Sequence, residues 1–148
     1  MKYSTKLSDA VHILVLIYLN PSQSLSSADI AVSICTNPSY VRQLMAKLKA
    51  NGLIQSMRGQ AKPTLGRAPE EITLFDVYKA VEGEKPLLHL DTNVNPDCNV
   101  GVYIQYALQD YYSEVQKVAD YKMAQITLSD IIRTYENKRQ NSDINLPF

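Results

Sequence analysis

The sequence predicts a mainly α-helical protein with one small β-hairpin and one long helix in its C-terminal half. Apolar residues recur at helical spacing in several segments, and residues 53–67 divide into strand, turn and strand. An apolar seam with the spacing of a coiled coil runs through residues 104–118. The 148 residues, 45% of them apolar and 20% charged, suffice for one folded domain with an appended oligomerisation element.

Turn and capping residues delimit three helices in the first third of the chain. The predicted helices cover residues 7–19, residues from a cap at Ser26 or Ser27 to 34, and residues 38–51. The first ends before Pro21, because the residue before a proline is pushed out of the helical region. Asn37 is a typical N-cap, Pro38 suits the first helical position, and Gly52 suits the left-handed C-terminal cap.

The remaining elements follow from turn residues and periodicity. We predict strands at 53–58 and 64–67 around a turn at 59–63, and a helix from the capping-box-like Thr73–Asp76 through Glu82. Residues 84–100 are predicted to form an irregular connector. A long helix over 101–122 follows, then a short helix from Thr127 and a polar tail after Lys138. We therefore divide the chain into residues 1–84 and 85–148.

The charges are distributed unevenly along the chain. Residues 1–67 contain eight Lys or Arg against two Asp, a net charge of +6, and residues 68–148 carry the opposite net charge of −6. A basic N-terminal part favours a polyanion as its ligand, and the alternative is a solvated surface that is merely uneven. The longest strongly apolar stretch, residues 11–19, is too short to span a membrane, which favours a cytoplasmic protein.

Two short helices joined by a tight turn and followed by a hairpin describe a winged helix-turn-helix domain. Its second helix enters the major groove of double-stranded DNA, where the four base pairs can be told apart. The outward positions of the third predicted helix are polar or cationic. The candidate DNA-binding residues are Ser39, Tyr40, Arg42, Gln43 and Lys47 on this helix, with Arg58 and Lys62 in the hairpin for phosphates or the minor groove. The alternative for this face is a solvated helix surface, and for Lys47 and Lys49 taken alone it is the preferred interpretation.

Three segments resemble one known family, the Rrf2 family of bacterial transcription regulators. Residues 36–59, TNPSYVRQLMAKLKANGLIQSMRG, resemble its recognition helix and wing. Residues 65–83, LGRAPEEITLFDVYKAVEG, and 124–131, AQITLSDI, resemble the segment after the wing and the last helix. The resemblance implies a homodimer paired through the long helix, with Ser39, Tyr40 and Gln43 at DNA-contacting positions and Arg58 at the wing base. The wing differs from that of the family, because residues 60–64, QAKPT, replace a glycine-rich turn. Pro63 restricts the conformation of this loop.

The number and position of the cysteines argue against an iron–sulfur cluster, a cofactor found in several members of this family. Several family members hold an iron–sulfur cluster through three cysteines before the long helix, whereas this chain has only Cys98 there. We therefore expect neither a cluster nor another bound metal or cofactor. Cys35, before the recognition helix, and Cys98 are candidates for a thiol switch that responds to a small oxidant or another thiol-reactive effector. The alternative is a small buried Cys35 and an unreactive turn residue at Cys98.

The apolar seam predicts dimerisation, because it would otherwise leave an exposed stripe along the long helix. The seam residues are Ile104, Leu108, Tyr111, Val115 and Val118. Catalytic motifs of the common kinds are absent from the sequence, so we do not expect an enzyme. The sequence thus predicts a sequence-specific DNA-binding regulator, by preference a repressor, acting as a homodimer. The alternative is a winged-helix protein-interaction module with little DNA affinity.

Overall fold

A computed structural model describes residues 3–57 and 59–141, and these residues form six α-helices and one two-stranded antiparallel sheet. The helices are α1 (Lys6–Leu19), α2 (Ser27–Ile34), α3 (Pro38–Ala50), α4 (Leu74–Glu82), α5 (Asn99–Gln125) and α6 (Leu128–Gln140). The strands are β1 (Ile54–Gln55) and β2 (Thr64–Leu65), and a short 3-10 turn covers Pro69–Glu71. The predicted fold class, mainly helical with a small hairpin and a long helix, is confirmed.

Three of the helices begin with the same local device. A Ser or Thr hydroxyl accepts the backbone N–H of an Asp three residues later, and the Asp carboxylate accepts the N–H of the cap residue. The pairs are Ser26–Asp29 at α2, Thr73–Asp76 at α4 and Thr127–Asp130 at α6. Each pair satisfies two backbone donors that a first helical turn leaves free. These hydrogen bonds, above all the one from the backbone, hold the pKa of Asp29 and of Asp130 below its usual range.

One hydrophobic core lies between α1, α2, α3, α4 and α6. Its largest fully buried side chains include Ile13 and Leu14 of α1 and Leu44 and Leu48 of α3. The predicted inward face of α3 is confirmed, with Met45 half-buried at its edge. Burial of a side chain of this size contributes about 1.5–3 kcal/mol, so the core fixes the position of α3 relative to α1 and α4.

The hairpin is shorter than predicted. Its strands cover two residues each, in place of the predicted 53–58 and 64–67, and Ile54 pairs with Leu65. The chain between the strands is held by the body of the domain instead. The N–H of Leu25, in the α1–α2 connection, donates to the carbonyl oxygen of Ala61 at 2.7 Å, and Pro63 is buried. These contacts hold the second half of the loop against the body of the domain.

Gly66 lies where the hairpin returns against the chain that follows α3. Its N–H donates to the carbonyl oxygen of Leu53 at 2.9 Å. A Cβ at position 66 would lie 2.2 Å from the carbonyl oxygen of Gly52, which is closer than any side chain tolerates. Gly52 itself has a φ of +72°, as expected of a residue that ends a helix in the left-handed region.

The last helix packs against the N-terminal core. Leu128 and Ile132 of α6 are buried in the same cluster as the residues of α1. The N–H of Leu74 donates to the carbonyl of Ile126 and the N–H of Leu128 donates to that of Ile72, both at 2.7 Å. Helix α6 therefore shares the core of the first part of the chain, and the division at residue 84 stays a prediction. This helix also extends to Gln140, two residues into the predicted polar tail.

Helix α5 starts earlier and ends later than the predicted 101–122. It begins at Asn99 because the Cys98 side chain caps it, with Sγ accepting the N–H of Gly101 at 3.5 Å. It continues to Gln125, and none of its 27 residues is buried. A helix of this length is about 40 Å long, so α5 is the longest element and the least covered by its own chain.

The connector before α5 is tied back along that helix by two glutamines. The N–H of Leu87 donates to Oε1 of Gln116 at 2.8 Å, and the N–H of Asp91 donates to Oε1 of Gln105 at 2.9 Å. The connector and α5 therefore run in opposite directions. This arrangement covers the side of α5 that bears the glutamines and leaves the other side open.

Candidate nucleic-acid interface

Helix α3 presents a polar face to solvent at its first two turns. The side chain of Asn37 accepts the N–H of Tyr40 at 2.9 Å, and Pro38 occupies the first turn, as predicted. Ser39, Arg42 and Gln43 are exposed, and the guanidinium of Arg42 donates to the Ser39 hydroxyl at 3.2 Å. These three side chains offer the hydrogen-bonding groups that read base edges in a major groove.

The turn between α2 and α3 is closed by backbone hydrogen bonds. Cys35 ends α2 in the left-handed conformation, with a φ of 63°. The N–H of Thr36 donates to the carbonyl oxygen of Ala31 at 2.9 Å. Because few residues other than glycine adopt a positive φ readily, the turn at Cys35 is a constrained point in the backbone. It determines the direction in which α3 leaves the turn.

Tyr40 does not lie on the polar face with its neighbours. Its hydroxyl donates to Oδ2 of Asp9 on α1 at 2.8 Å, and the side chain is half-buried. Burial, together with the hydrogen bond to the Asp9 carboxylate, raises the pKa of Tyr40 to about 12. The phenol is therefore a protonated donor over the whole physiological range. Its assignment as a DNA contact remains a prediction, although its hydroxyl already has a partner within the domain.

The lysines at the C-terminal end of α3 also make contacts within the domain. Nζ of Lys47 lies 3.4 Å from the carbonyl oxygen of Val81 on α4, and Nζ of Lys49 lies 3.2 Å from that of Ser56. Both hydrogen bonds are long, and both residues remain exposed overall. The structure thus directs the Lys47 ammonium toward α4 and does not align it with Arg42 and Gln43.

The hairpin carries the other two predicted contacts. Lys62 is exposed beside the α1–α2 connection, to which Ala61 is bound. Arg58 lies outside the described residues. The apolar Met57 is also exposed, with 70% of its surface accessible. The anchored second half of the loop keeps Lys62 near the body of the domain, which limits how far this lysine can reach into a groove.

The two acids of the basic N-terminal part are both occupied. Asp29 belongs to the capping box of α2. Asp9 accepts hydrogen bonds from Tyr40 and, at 3.1 Å, from the Thr5 hydroxyl. Neither carboxylate is paired with Arg42 or Lys62, so the charges of these two side chains are available for phosphates. The sequence alone did not reveal Asp9, because its partner is 31 residues away along the chain.

The predicted dimerisation seam lies on the open side of α5. Ile104, Tyr111, Val115 and Val118 are exposed, with accessible fractions from 48% to 70%. Leu108 is half-buried at the border between the seam and the side covered by the connector. Four of the five predicted residues therefore form one exposed apolar stripe, and the fifth stands at its edge.

Both cysteine thiols are exposed. The expectation of a buried Cys35, one of the two readings of that residue, is wrong, since Cys35 lies at the surface of the turn. It lines an open groove of about 490 Å³ together with Tyr40 and the N-terminal end of α1. The sulfur of Cys98 accepts a long hydrogen bond from the N–H of Gly101 in its own helix. Both cysteines therefore remain candidates for the predicted thiol switch.

Neither a metal-binding cluster nor a membrane-spanning helix is found within residues 3–57 and 59–141. Within these ranges, no three His, Cys, Asp or Glu side chains come together in a way that could hold a metal ion. In the same ranges, none of the helices combines the length and the apolar character that crossing a membrane requires.

Comparison with known proteins places the chain among transcription regulators. The Rrf2 family model, described as an iron-dependent transcriptional regulator, matches residues 3–134. YwnA of Bacillus subtilis (strain 168), named as a candidate HTH-type transcriptional regulator, is 35% identical over 129 residues, which are 87% of this chain and 96% of YwnA. A crystal structure described as a candidate DNA-binding protein is 35% identical with a TM-score of 0.70, covering 86% of this chain and 98% of that one. T. potens IscR shares the fold at 23% identity and a TM-score of 0.67, covering 99% and 93%.

Proposed function

This chain belongs to the Rrf2 family of transcriptional regulators, and we propose that it is a cytoplasmic, homodimeric repressor that binds specific DNA sequences. The observation that carries the proposal is the exposed face of Ser39, Arg42 and Gln43 at the start of α3. Arg reads guanine and Gln reads adenine through paired hydrogen bonds. Lys62, exposed in the hairpin loop, supplies charge for a phosphate.

The homodimer is supported by the exposed stripe on α5. Apolar residues at this spacing on a helix of about 40 Å gain free energy when a second copy covers them. Two-fold symmetry would present two α3 helices to DNA. Recognition helices related in this way read half-sites about 34–36 Å apart, one turn of the double helix. A repressor of this kind acts by occupying its operator.

The test is selection of a duplex from a randomised DNA pool with the purified protein, followed by affinity measurements. Arg42→Ala and Gln43→Ala are each expected to cost about 1–3 kcal/mol on the selected duplex and much less on a shuffled one. Lys62→Ala is expected to weaken binding to both duplexes and to reduce the salt slope by about one. Arg139→Ala and Gln140→Ala, at the far end of α6, are the matched controls.

Two outcomes would contradict parts of this proposal. If the wild-type protein selects no duplex, the protein-interaction module becomes the better description of the domain. If a duplex is selected but Arg42→Ala and Gln43→Ala bind it normally, α3 is not the reading element. Repression itself is tested by a reporter gene placed behind the selected duplex, whose expression should fall when the protein is produced.

Regulation by thiol oxidation is a further part of the proposal, supported by the exposure of both cysteines. A disulfide between Cys35 of one subunit and Cys98 of the other would form when a disulfide oxidant accepts two electrons and the two thiol protons, giving two small thiols. The bond would pull on the constrained turn that directs α3. Formation requires Cα atoms about 4.4–6.8 Å apart, or a backbone shift that brings them there.

Oxidised glutathione tests this regulation. A crosslinked dimer is expected on non-reducing gels, together with changed affinity for the selected duplex, and both are expected to vanish in Cys35→Ser and in Cys98→Ser. Unchanged affinity in the oxidised wild-type protein would return both cysteines to a structural role. The serine variants keep the size of the side chain, and Cys98→Ser keeps a cap for α5.

A further inference from the structure

The hydrogen bond between Tyr40 and Asp9 joins the first turn of α3 to the first turns of α1. The phenol hydroxyl donates to Oδ2 of Asp9 at 2.8 Å, and the Thr5 hydroxyl donates to the same oxygen at 3.1 Å. Both Tyr40 and Asp9 are half-buried. Tyr40 lies next to Ser39 and two residues before Arg42, within the turn that carries the candidate base contacts. A shift of Tyr40 therefore moves both of these side chains.

Helix α1 is a firm support for this contact. Ile13 and Leu14, one turn beyond Asp9, are completely buried in the core. At the start of α3, the local hydrogen bond from Tyr40 N–H to Asn37 closes the turn but does not attach it to another helix. The bond to Asp9 attaches this turn to α1 through a polar contact, beside the buried Val41 of the same turn. A bond to a carboxylate is about twice as strong as one between neutral groups.

We propose that Asp9 and Tyr40 are a positioning pair, which orients the recognition turn of α3 for base readout while Tyr40 makes no contact with DNA. The inference deepens the proposed function and rests on it. Side chains that read bases must be held within about 0.5 Å of the productive geometry. A carboxylate close to a phosphate-binding face repels DNA, and its presence is explained when it holds the reading turn in place.

A phosphate contact by the Tyr40 hydroxyl is the competing role, and the two roles predict different losses. A phosphate contact contributes equally to every duplex, because phosphates carry no sequence information. A positioning contact increases the affinity for the correct duplex more than the affinity for a wrong one. The ratio of the two affinities therefore separates positioning from phosphate binding and from a general effect on folding.

The experiment measures the affinity of the full chain for the selected duplex and for a shuffled duplex of equal length and composition. Tyr40→Phe, which keeps the ring and removes only the hydroxyl, is expected to lower the ratio about ten-fold. Asp9→Ala should lower it by a similar factor, and the double variant should be no worse than either single one. Tyr18→Phe, at the other end of α1, is the matched control.

Asp9→Asn provides the rescue. The amide oxygen of Asn can still accept the Tyr40 hydroxyl, so the ratio should stay within about three-fold of the wild-type value. Its affinity for both duplexes should rise evenly, because a negative charge is removed. Equal losses of Tyr40→Phe on both duplexes, or an unchanged ratio in Tyr40→Phe and Asp9→Ala, would overturn the proposal. A wild-type protein that selects no duplex would instead overturn the proposed function.

Discussion

Helices α3 and α5 differ in what covers their apolar residues. Both have an apolar stripe, yet α3 buries Val41, Leu44 and Leu48 in its own domain, whereas α5 buries none of its 27 residues. The stripe of α3 is covered because α1 and α4 lie on either side of it. The stripe of α5 lies beside the side that the connector covers, and its residues remain exposed. One helix is completed by its own chain, and the other leaves an apolar surface open.

Because of this difference, substitutions in the two helices affect two separate equilibria, folding and association. Substitutions in the stripe of α3 act on folding, since its partners belong to the same chain. Substitutions in the stripe of α5 act on association if a second copy covers it, and they change little if it stays in solvent. The predictions below use this contrast, and each pairs a change in one region with a control.

The largest effect is expected from charges in the α5 stripe. Val115→Glu combined with Val118→Glu should weaken dimerisation by about 3–6 kcal/mol, because two apolar side chains no longer leave water. Sedimentation should show monomers at micromolar concentration. Gln109→Glu with Ser113→Glu adds the same charge to exposed positions away from the stripe and should leave the dimer intact. A wild-type protein that sediments as a monomer would show that the contrast with α3 has another cause.

A cavity in the α3 stripe should act on folding instead. Leu44→Ala is expected to lower the free energy of unfolding by about 2–5 kcal/mol, since Leu44 is almost completely buried. Urea unfolding at fixed protein concentration measures the loss. The neighbouring exposed Gln43→Ala should change stability by less than about 0.5 kcal/mol. Equal effects of the two substitutions would mean that α3 is not packed as described.

Glycines in the two regions should respond with opposite signs. Gly66→Ala should destabilise the fold by about 1–3 kcal/mol, because the new Cβ meets the carbonyl oxygen of Gly52. Gly101→Ala in the first turn of α5 should stabilise by up to about 1 kcal/mol, since its nearest neighbours lie at 3.7 Å and alanine favours a helix. Thermal unfolding of both variants provides the measurement. Destabilisation by Gly101→Ala would indicate a tighter surrounding of α5 than its exposure suggests.

The smallest effect concerns pH and the capping boxes of α2 and α6. The pKa values of Asp29 and Asp130 are lowered in the folded chain, chiefly by backbone hydrogen bonds. Their contribution is therefore present above the unfolded pKa and is lost as the pH falls through the folded pKa. Below about pH 4, the urea midpoint of Asp29→Asn and that of Asp130→Asn should each fall less steeply with decreasing pH than the midpoint of the wild-type protein. If the midpoints of the variants fall as steeply as that of the wild-type protein, Asp29 and Asp130 do not cause the loss of stability in acid.

Features that depend on neighbouring residues in the chain could be predicted from the sequence. Asn37 and Pro38 announce the start of α3, and Thr73 with Asp76 announces that of α4, because a capping bond spans only three residues. The apolar spacing of Val41, Leu44 and Leu48 identified the inner face of α3 for the same reason. Periodicity is a local property of the helix and needs no knowledge of what lies opposite.

Contacts between distant segments could not be predicted in this way. The loop between the strands is held by the hydrogen bond of Ala61 to Leu25, which lies 36 positions earlier in the chain. The directions of Tyr40 and Lys47 depend on Asp9 and Val81, which are 31 and 34 positions away. A polar side chain on the surface of a helix can turn toward solvent or toward a neighbouring helix, and its own sequence neighbourhood does not distinguish the two.

Helix α5 combines a feature that the local sequence sets with one that distant contacts set. The sequence by itself determined the helix and its apolar seam, since the spacing of Ile104, Tyr111, Val115 and Val118 is a matter of helical geometry. Only the tertiary structure decided which side of the helix is open. Gln105 and Gln116 hold the connector on one side and leave Leu108 at the border. The physical reason is that side-chain spacing is set by covalent geometry, whereas burial depends on which distant segment arrives to cover it.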